Sequence, residues 1–242
     1  MRYAIFADVH GNIEALQAVL KALAKQDIDA YYCCGDIVGY GADPKKCLKV
    51  IREINTTCVA GNHDWAVARR IGTYRFHEQA KSAVEWTQKQ LSEQEKTFLA
   101  CLPLFHRESS FVLVHGTFYH PEDFQYLTDQ EQAKMSFSRM DCQACFIGHS
   151  HVAQIFVQKL DGCVDIGHKD SIDILPDHKY IVNVGSVGQP RDGNPKASYC
   201  ILDLTQKTIE MKRVSYDLKK AQDKILKAGL PSKLASRLAL GR

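Results

Sequence analysis

The chain has 242 residues, 45% hydrophobic and 24% charged, which is enough to bury one sizeable core and is ordinary for a globular protein. Its 31 basic and 28 acidic side chains leave a formal charge of +3, too small to argue for a nucleic-acid surface. No window is apolar for long enough to span a bilayer, and Met1 leads directly into a strand, so a cytoplasmic chain without a leader or membrane partner is expected. The nine cysteines follow no framework pattern, and Cys33, Cys34, Cys58 and Cys145 fall inside apolar strands, as small buried thiols do. Cys142 and Cys145 have redox or zinc spacing, but no second Cys/His pair accompanies them.

In chain order, residues 2–7 read as a strand that stops at Asp8-Val9-His10-Gly11. Asn12 then caps a helix whose apolar residues Ile13, Leu16, Val19, Leu20 and Leu23 keep the helical period. A second strand over 28–34 stops at Gly35-Asp36, and Asp43-Pro44 opens a second helix after a glycine-rich loop. A third strand, rich in β-branched residues from Thr56 to Ala60, stops at Gly61-Asn62-His63-Asp64. Asn62 is there either as the cap of a short helix or as a functional side chain. This β-α-β-α-β order indicates a parallel sheet with right-handed crossovers.

Helices are expected over 77–90 and 92–100, the second opened by a capping box of Ser92 and Glu95. Beyond Leu104 the pattern changes to short strands at 110–114, 144–147, 152–157, 180–184, 198–204 and 208–214, with a helix near 129–139. The polar stretch 161–179 reads as a loop between weak strands, and a charged amphipathic tail at about 216–242 reads as helical. No linker or repeat divides the chain, so a single domain over 1–242 is expected.

Five apolar strands therefore each end in metal-ligand chemistry: Asp8/His10, Asp36, Asn62/His63, His115 and His149/His151. Residues at one carboxyl edge of a sheet converge, so these can share one site. Two divalent ions about 3.5–4 Å apart need a bridging carboxylate and enough nitrogen and oxygen donors for both. Two carboxylates, four imidazoles and an amide suit manganese, iron or zinc better than magnesium or calcium. Five of the ten histidines fall in these fragments.

These fragments resemble the five-part signature of the calcineurin-like metallophosphoesterases, and Gly185-Ser186-Val187-Gly188-Gln189-Pro190-Arg191 is similar to the small bacterial and archaeal phosphodiesterase branch. The resemblance implies an α/β fold, a two-sheet β-sandwich flanked by helices. It implies one ion held by Asp8, His10, Asp36 and His151, and a second by Asp36, Asn62, His115 and His149, with Asp36 bridging. A metal-bridging hydroxide is then the nucleophile and His63 the general acid. The expected cofactors are two transition-metal ions, manganese first, with iron, zinc and nickel as alternatives.

The chain departs from the family at Val184, where small phosphodiesterases usually have proline, and at Gly39-Tyr40-Gly41, where phosphoprotein phosphatases continue Asp-Arg-Gly. Without that arginine, Arg191 is left as the motif's only guanidinium, and Asn62, His63, Tyr40 and Arg191 are the expected substrate contacts. A diester carries less charge than a monoester near neutrality, so this charge poverty favours small phosphodiesters or nucleotides. The alternatives are a general phosphomonoesterase, a phosphoprotein phosphatase, or a non-catalytic scaffold, for which eroded ligand positions would be expected. A homo-oligomer stays open.

Overall fold

Strand β1 (Arg2–Phe6) sits in the middle of a six-stranded mixed sheet, and its Ala4, Ile5 and Phe6 are wholly buried because both faces of that sheet are covered. This is a computed structural model, and it describes residues 1–242. Helix α1 (Ile13–Leu23) follows, with the Asn12 side chain accepting from the Ala15 N–H as expected and Leu16, Val19 and Leu23 turned inward. Strand β2 (Ala30–Cys33), helix α2 (Pro44–Glu53) and strand β3 (Thr57–Cys58) complete the parallel half, β1 pairing with β2 and β2 with β3. The third strand is shorter than the sequence pattern suggests. The Val59 N–H still donates to Cys33, but the Ala60 N–H turns away to the Pro103 carbonyl at 2.7 Å, which ends the ladder.

Helices α3 (Asn62–Val67), α4 (Glu78–Gln90) and α5 (Glu93–Ala100) come next, and the Ser92/Glu95 capping box is formed. The second sheet holds β4 (Phe105–Arg107), β5 (Phe111–Val114), β6 (Ala144–Ile147), β7 (Ala153–Gln158), β8 (Val164–Gly167) and β10 (Lys179–Val184), in the order β4-β5-β6-β10-β7-β8. Strands β9 (Ser171–Asp173), β11 (Ala197–Asp203) and β12 (Thr208–Val214) return to the first sheet, whose order is β3-β2-β1-β11-β12-β9. The polar stretch 161–179 thus supplies an edge strand to each sheet. Strand β4 has no counterpart in the sequence reading, since three residues alternating at an exposed edge carry too little periodicity to register.

The two sheets stack face to face over a core that includes Ile5, Tyr32, Phe111, Phe146, Val182 and Leu202. Successive residues point to opposite faces, so Phe6, Cys33 and Ile201 pack outward against α1 and α2. On the far side, helix α6 (Gln130–Phe137) covers Val112, Cys145 and Ile181. The result is the helix–sheet–sheet–helix sandwich. Helices α7 (Leu218–Lys227) and α8 (Ser232–Leu240) pack together against Ala80 and Ala83 of α4 and against Tyr40. No helix is long and apolar enough to cross a membrane.

Candidate metal centre

Strands β1 and β2 of one sheet and β5 and β6 of the other end at the same edge of the sandwich, and there the backbone turns sharply. Asp8, His10, Asp36, His149 and His151 all adopt positive φ, between 48° and 68°, and Tyr40 does so at 41°. Such backbone costs roughly 1–3 kcal/mol per residue and persists only where the surroundings over-determine it. The surroundings here are hydrogen bonds: the Ser186 hydroxyl donates to the Asp8 carbonyl at 2.8 Å and the Asn183 amide donates to the Gly148 carbonyl at 2.8 Å. The Asn12 amide donates to the Gly188 carbonyl at 2.9 Å, tying the 185–191 segment to the turn after β1.

The two carboxylates are held alike. Asp8 Oδ2 accepts from the His149 N–H and Asp36 Oδ1 from the His63 N–H, both at 2.9 Å. Each therefore has one oxygen tied to backbone and one left over. Asp8 Oδ1 is buried with no hydrogen-bond partner, 3.3 Å from His151 Nε2 and 3.7 Å from His10 Nε2. Asp36 Oδ2 lies 3.5 Å from His10 Nε2 and 3.4 Å from His115 Nε2, between the two halves of the site.

The imidazoles are oriented by carbonyls. His10 Nδ1 faces Val38 O at 3.1 Å, His115 Nδ1 faces Cys34 O at 2.7 Å, and His151 Nδ1 faces Gln189 O at 2.6 Å. A carbonyl only accepts, so each Nδ1 carries the proton, and wherever the ring is neutral its Nε2 presents a lone pair inward. Burial lowers the pKa of His10, His149 and His151, keeping those rings neutral, while for His115 the Asp36 charge outweighs burial and raises it to about 9. His10 Nε2 and His151 Nε2 end up 3.0 Å apart. Two lone pairs converging beside an unpartnered buried carboxylate oxygen is an arrangement that fits a cation. The donor atoms of Asp8/His10/His151, of His10/Asp36/His63 and of Asp36/His115/His149 each lie within 4.8 Å of one another.

Gly61 occupies the cap position of α3, so Asn62 is its first helical residue and not its cap. This frees the Asn62 side chain, whose Oδ1 stands 3.1 Å from His115 Nε2. His63 Nδ1 is buried against Gly39, where a Cβ would come within 2.5 Å of it, which leaves Nε2 to meet the cavity. Burial pushes the His63 pKa down to about 4. Asp64, the next residue, supports the site from below. Its carboxylate accepts from the backbone N–H groups of Asp36, Ile37, Val38 and Gly61 at 2.8–3.2 Å and so shapes the turn that presents Asp36. Burial and the Asp36 charge push its pKa up to about 7, although the Gly61 and Val38 N–H donors favour the ionised form.

Above these groups opens a cavity of about 500 Å³. Tyr40 and Arg191 both line it, the guanidinium lying 5.6 Å from the Tyr40 ring centroid. Arg191 Nη2 donates to Gln189 Oε1 at 3.0 Å, and burial of Arg191 Nε shows a guanidinium drawn in from solvent. The outer walls bring residues that no sequence signal marked: Arg75, Phe76 and Tyr74 on one side and Asp123 and Tyr126 on the other. The C-terminal pair supports the same region from behind. Leu234 and Leu238 pack in the cluster that contains Tyr40, and the Gly193 N–H, two residues beyond Arg191, donates to the Gly241 carbonyl at 2.9 Å.

A family model described as a calcineurin-like phosphoesterase superfamily domain matches residues 1–207. An uncharacterized protein of Methanocaldococcus jannaschii is 41% identical over 244 residues, covering 99% of this chain and 98% of its own. The crystal structure of a metallophosphoesterase from Sphaerobacter thermophilus is similar with a TM-score of 0.87 and 34% identity, each chain covered over 100% of its length. A hypothetical protein from Pyrococcus horikoshii shares the fold with a TM-score of 0.82 at 21% identity, over 100% of this chain and 98% of that one.

Proposed function

Since this chain belongs to the calcineurin-like phosphoesterase superfamily, and is thus a hydrolase of phosphoric esters, we propose that it cleaves small phosphodiesters or nucleotides at a dinuclear metal centre. The observation that carries this reading is the convergence of carboxylate and imidazole donor atoms in the Asp8/His10/His151 and Asp36/His115/His149 clusters, which His10 and Asp36 join. Asp8, His10, Asp36 and His151 would hold one ion, and Asp36, Asn62, His115 and His149 the other. The donor set suits manganese first, then iron, zinc or nickel. When bound, such ions supply positive charge to the phosphate and lower the pKa of water.

The chain's own residues then divide the remaining work. His63 Nε2 faces the cavity and donates a proton to the leaving oxygen, the role its position beside Asn62 at the start of α3 supports. An anionic substrate beside it favours the protonated imidazole and offsets the burial that lowers its pKa to about 4. The Asn62 amide and the Tyr40 hydroxyl would hydrogen-bond the phosphate and Arg191 would offer its guanidinium, a reading supported by all three lining the cavity. Arg75 is a second guanidinium at the outer wall, but it is well exposed and stands 3.9 Å from Asp123, so water and that carboxylate screen it from the phosphate. One committed arginine suits a monoanionic diester better than a dianion.

The manganese-loaded protein is expected to show a higher kcat/KM for bis-p-nitrophenyl phosphate than for p-nitrophenyl phosphate, and to lose both activities to a chelator. A clear preference for the monoester would move the assignment to a phosphomonoesterase, and full activity in the chelator would remove the metal mechanism.

A further inference from the structure

We propose that the outer cavity is a stacking subsite for a planar, nucleobase-sized ring with Tyr126 as its platform, so that the diester cleaved here is a nucleotide one. This rests on the phosphodiesterase reading above and narrows its substrate class. The cavity's volume of about 500 Å³ falls among those of roughly 300–1,000 Å³ that enclose a whole small molecule, well beyond a phosphate group alone.

Tyr126 stacks on His149 with ring centroids 4.2 Å apart and planes 11° off parallel, yet is 49% exposed. His149 takes one face of the ring, and the other is left for a ligand directly beside the phosphate position. The ring is held in place before anything binds. On one side of it the Thr117 N–H donates to the Gln125 carbonyl at 3.1 Å, and on the other Leu127 is buried. Phe124 sits at a φ of 48°, unusual for a bulky residue, and is wedged edge-on against Trp65 at 5.5 Å and His115 at 6.0 Å. A preset aromatic face loses little entropy on binding. The facing wall adds Phe76, edge-on to His63 at 4.9 Å, and Tyr74, an aromatic left 83% exposed at the lip.

Aromatic walls also suit a quaternary ammonium, so the nearby charges decide between the two. The two wall carboxylates are already engaged, Asp123 with Arg75 at 3.9 Å and Glu122 with His120 at 3.2 Å. Both carboxylates are exposed, so water screens what they offer a cation, the Arg191 guanidinium lining the cavity opposes one, and a flat, parallel-stacked tyrosine offers the geometry that a neutral ring uses. Base stacking tolerates any base, so the subsite selects for a nucleotide without selecting which one.

Calorimetry on the manganese-loaded protein, with adenosine 5′-monophosphate and ribose 5-phosphate as probes, tests this directly. The pair differs only by the base, and stacking of this kind predicts a ratio of affinities of roughly tenfold in favour of the nucleotide. Tyr126→Ala and Tyr126→Leu should bring that ratio near one, and Tyr126→Phe should retain it. Equal affinities in the wild type, a ratio unmoved by Tyr126→Ala and Tyr126→Leu, or stronger competition by glycerophosphocholine than by the nucleotide would each overturn the proposal. Base-dependent binding without hydrolysis of any phosphodiester would instead remove the functional reading and leave the subsite standing.

Discussion

The floor of the cavity and the two C-terminal helices behind it are both buried, and in opposite ways. The floor buries carboxylates and imidazoles on left-handed backbone, an arrangement that costs stability and is kept by hydrogen bonds donated by Ser186 and Asn183 and accepted by Asp64. The helical pair buries Ala221, Ile225, Leu234 and Leu238, ordinary apolar side chains on ordinary helices. Full burial of such a leucine or isoleucine contributes about 1.5–3 kcal/mol. Strain is thus concentrated where chemistry is expected, and the tail meets it at the Tyr40 ring and through the Gly193–Gly241 hydrogen bond. The lesson is a division of labour: the floor holds the proposed reaction, and the tail sets where two of the proposed substrate contacts, Tyr40 and Arg191, stand.

The sharpest way to break this division is Asp36→Asn at the floor. The amide bridges poorly and carries no charge, so activity should fall below detection and elemental analysis should find fewer than one tightly held transition metal per chain. Retention of both metals and of activity would show that Asp36 is not shared between them. His63→Gln should keep the metals and lower the rate about 10²–10⁴-fold, most for poor leaving groups and least for p-nitrophenolate. An equal loss across leaving groups would argue against a proton donor.

Asp64→Asn probes the support beneath the floor without replacing a proposed ligand. An amide nitrogen in place of one carboxylate oxygen would face backbone N–H donors, leaving some of the four unpartnered at roughly 1–3 kcal/mol each. The variant should melt earlier and bind metal more weakly; unchanged melting would mean that the turn holds itself.

At the tail, Gly241→Val is the informative change. Gly241 has a φ of 61°, and a Cβ there would sit 2.7 Å from the Asn194 nitrogen and 2.9 Å from the Gly193 carbonyl carbon. The loop bearing Arg191 must shift, so KM should rise several-fold while metal content and the leaving-group dependence stay as in the wild type. A loss of kcat as large as that of His63→Gln would show that the tail belongs to the reacting centre after all.

The smallest effect is expected from Lys224→Met, which removes the ammonium that joins α7 to Glu14 at 2.5 Å and to Asp43 at 2.6 Å. With the lysine 27% exposed, screening limits the cost to about 1–2 kcal/mol. Burial pushes the Asp43 carboxyl up, but the bonds from Lys224 and Lys46 outweigh it and hold the pKa below 3.8. Burial likewise pushes the Lys224 ammonium down, and Asp43 and Glu14 raise it above 10.5. The folded state therefore gains from Asp43 above pH 3.8 and loses that gain as the pH falls below it. It gains from Lys224 below pH 10.5 and loses that gain as the pH rises through it. Denaturant midpoints should differ most between wild type and variant inside that window, and a constant difference down to pH 3 and up to pH 11 would contradict the linkage.

Much of the floor was legible because its signals are local. Asn12 capping α1, Pro44 opening α2 and the Ser92/Glu95 box are decided within one helical turn, by which side chain can satisfy a free N–H. The strand ends at Asp8, Asp36, His115 and His149 stood out because polar residues directly after apolar runs have no packing role. Tyr126, Arg75 and Tyr74 carried no such mark, since an aromatic or a charge in a loop reads the same whether it lines a cavity or faces open water.

What the sequence by itself determined is the set of short elements and the polar residues that interrupt them, through backbone sterics and the periods of helix and strand. Tertiary structure alone decided which of these meet. The parallel pairing of β6 with β10 and of β1 with β2, and the stacking of the two sheets, bring His149 to Asp8 across 141 positions of chain. The helical tail was legible as helices, but its face against Tyr40 and its bond to the Arg191 loop depend on long-range packing, where the partner of an apolar stripe is chosen by shape and not by any neighbour in sequence.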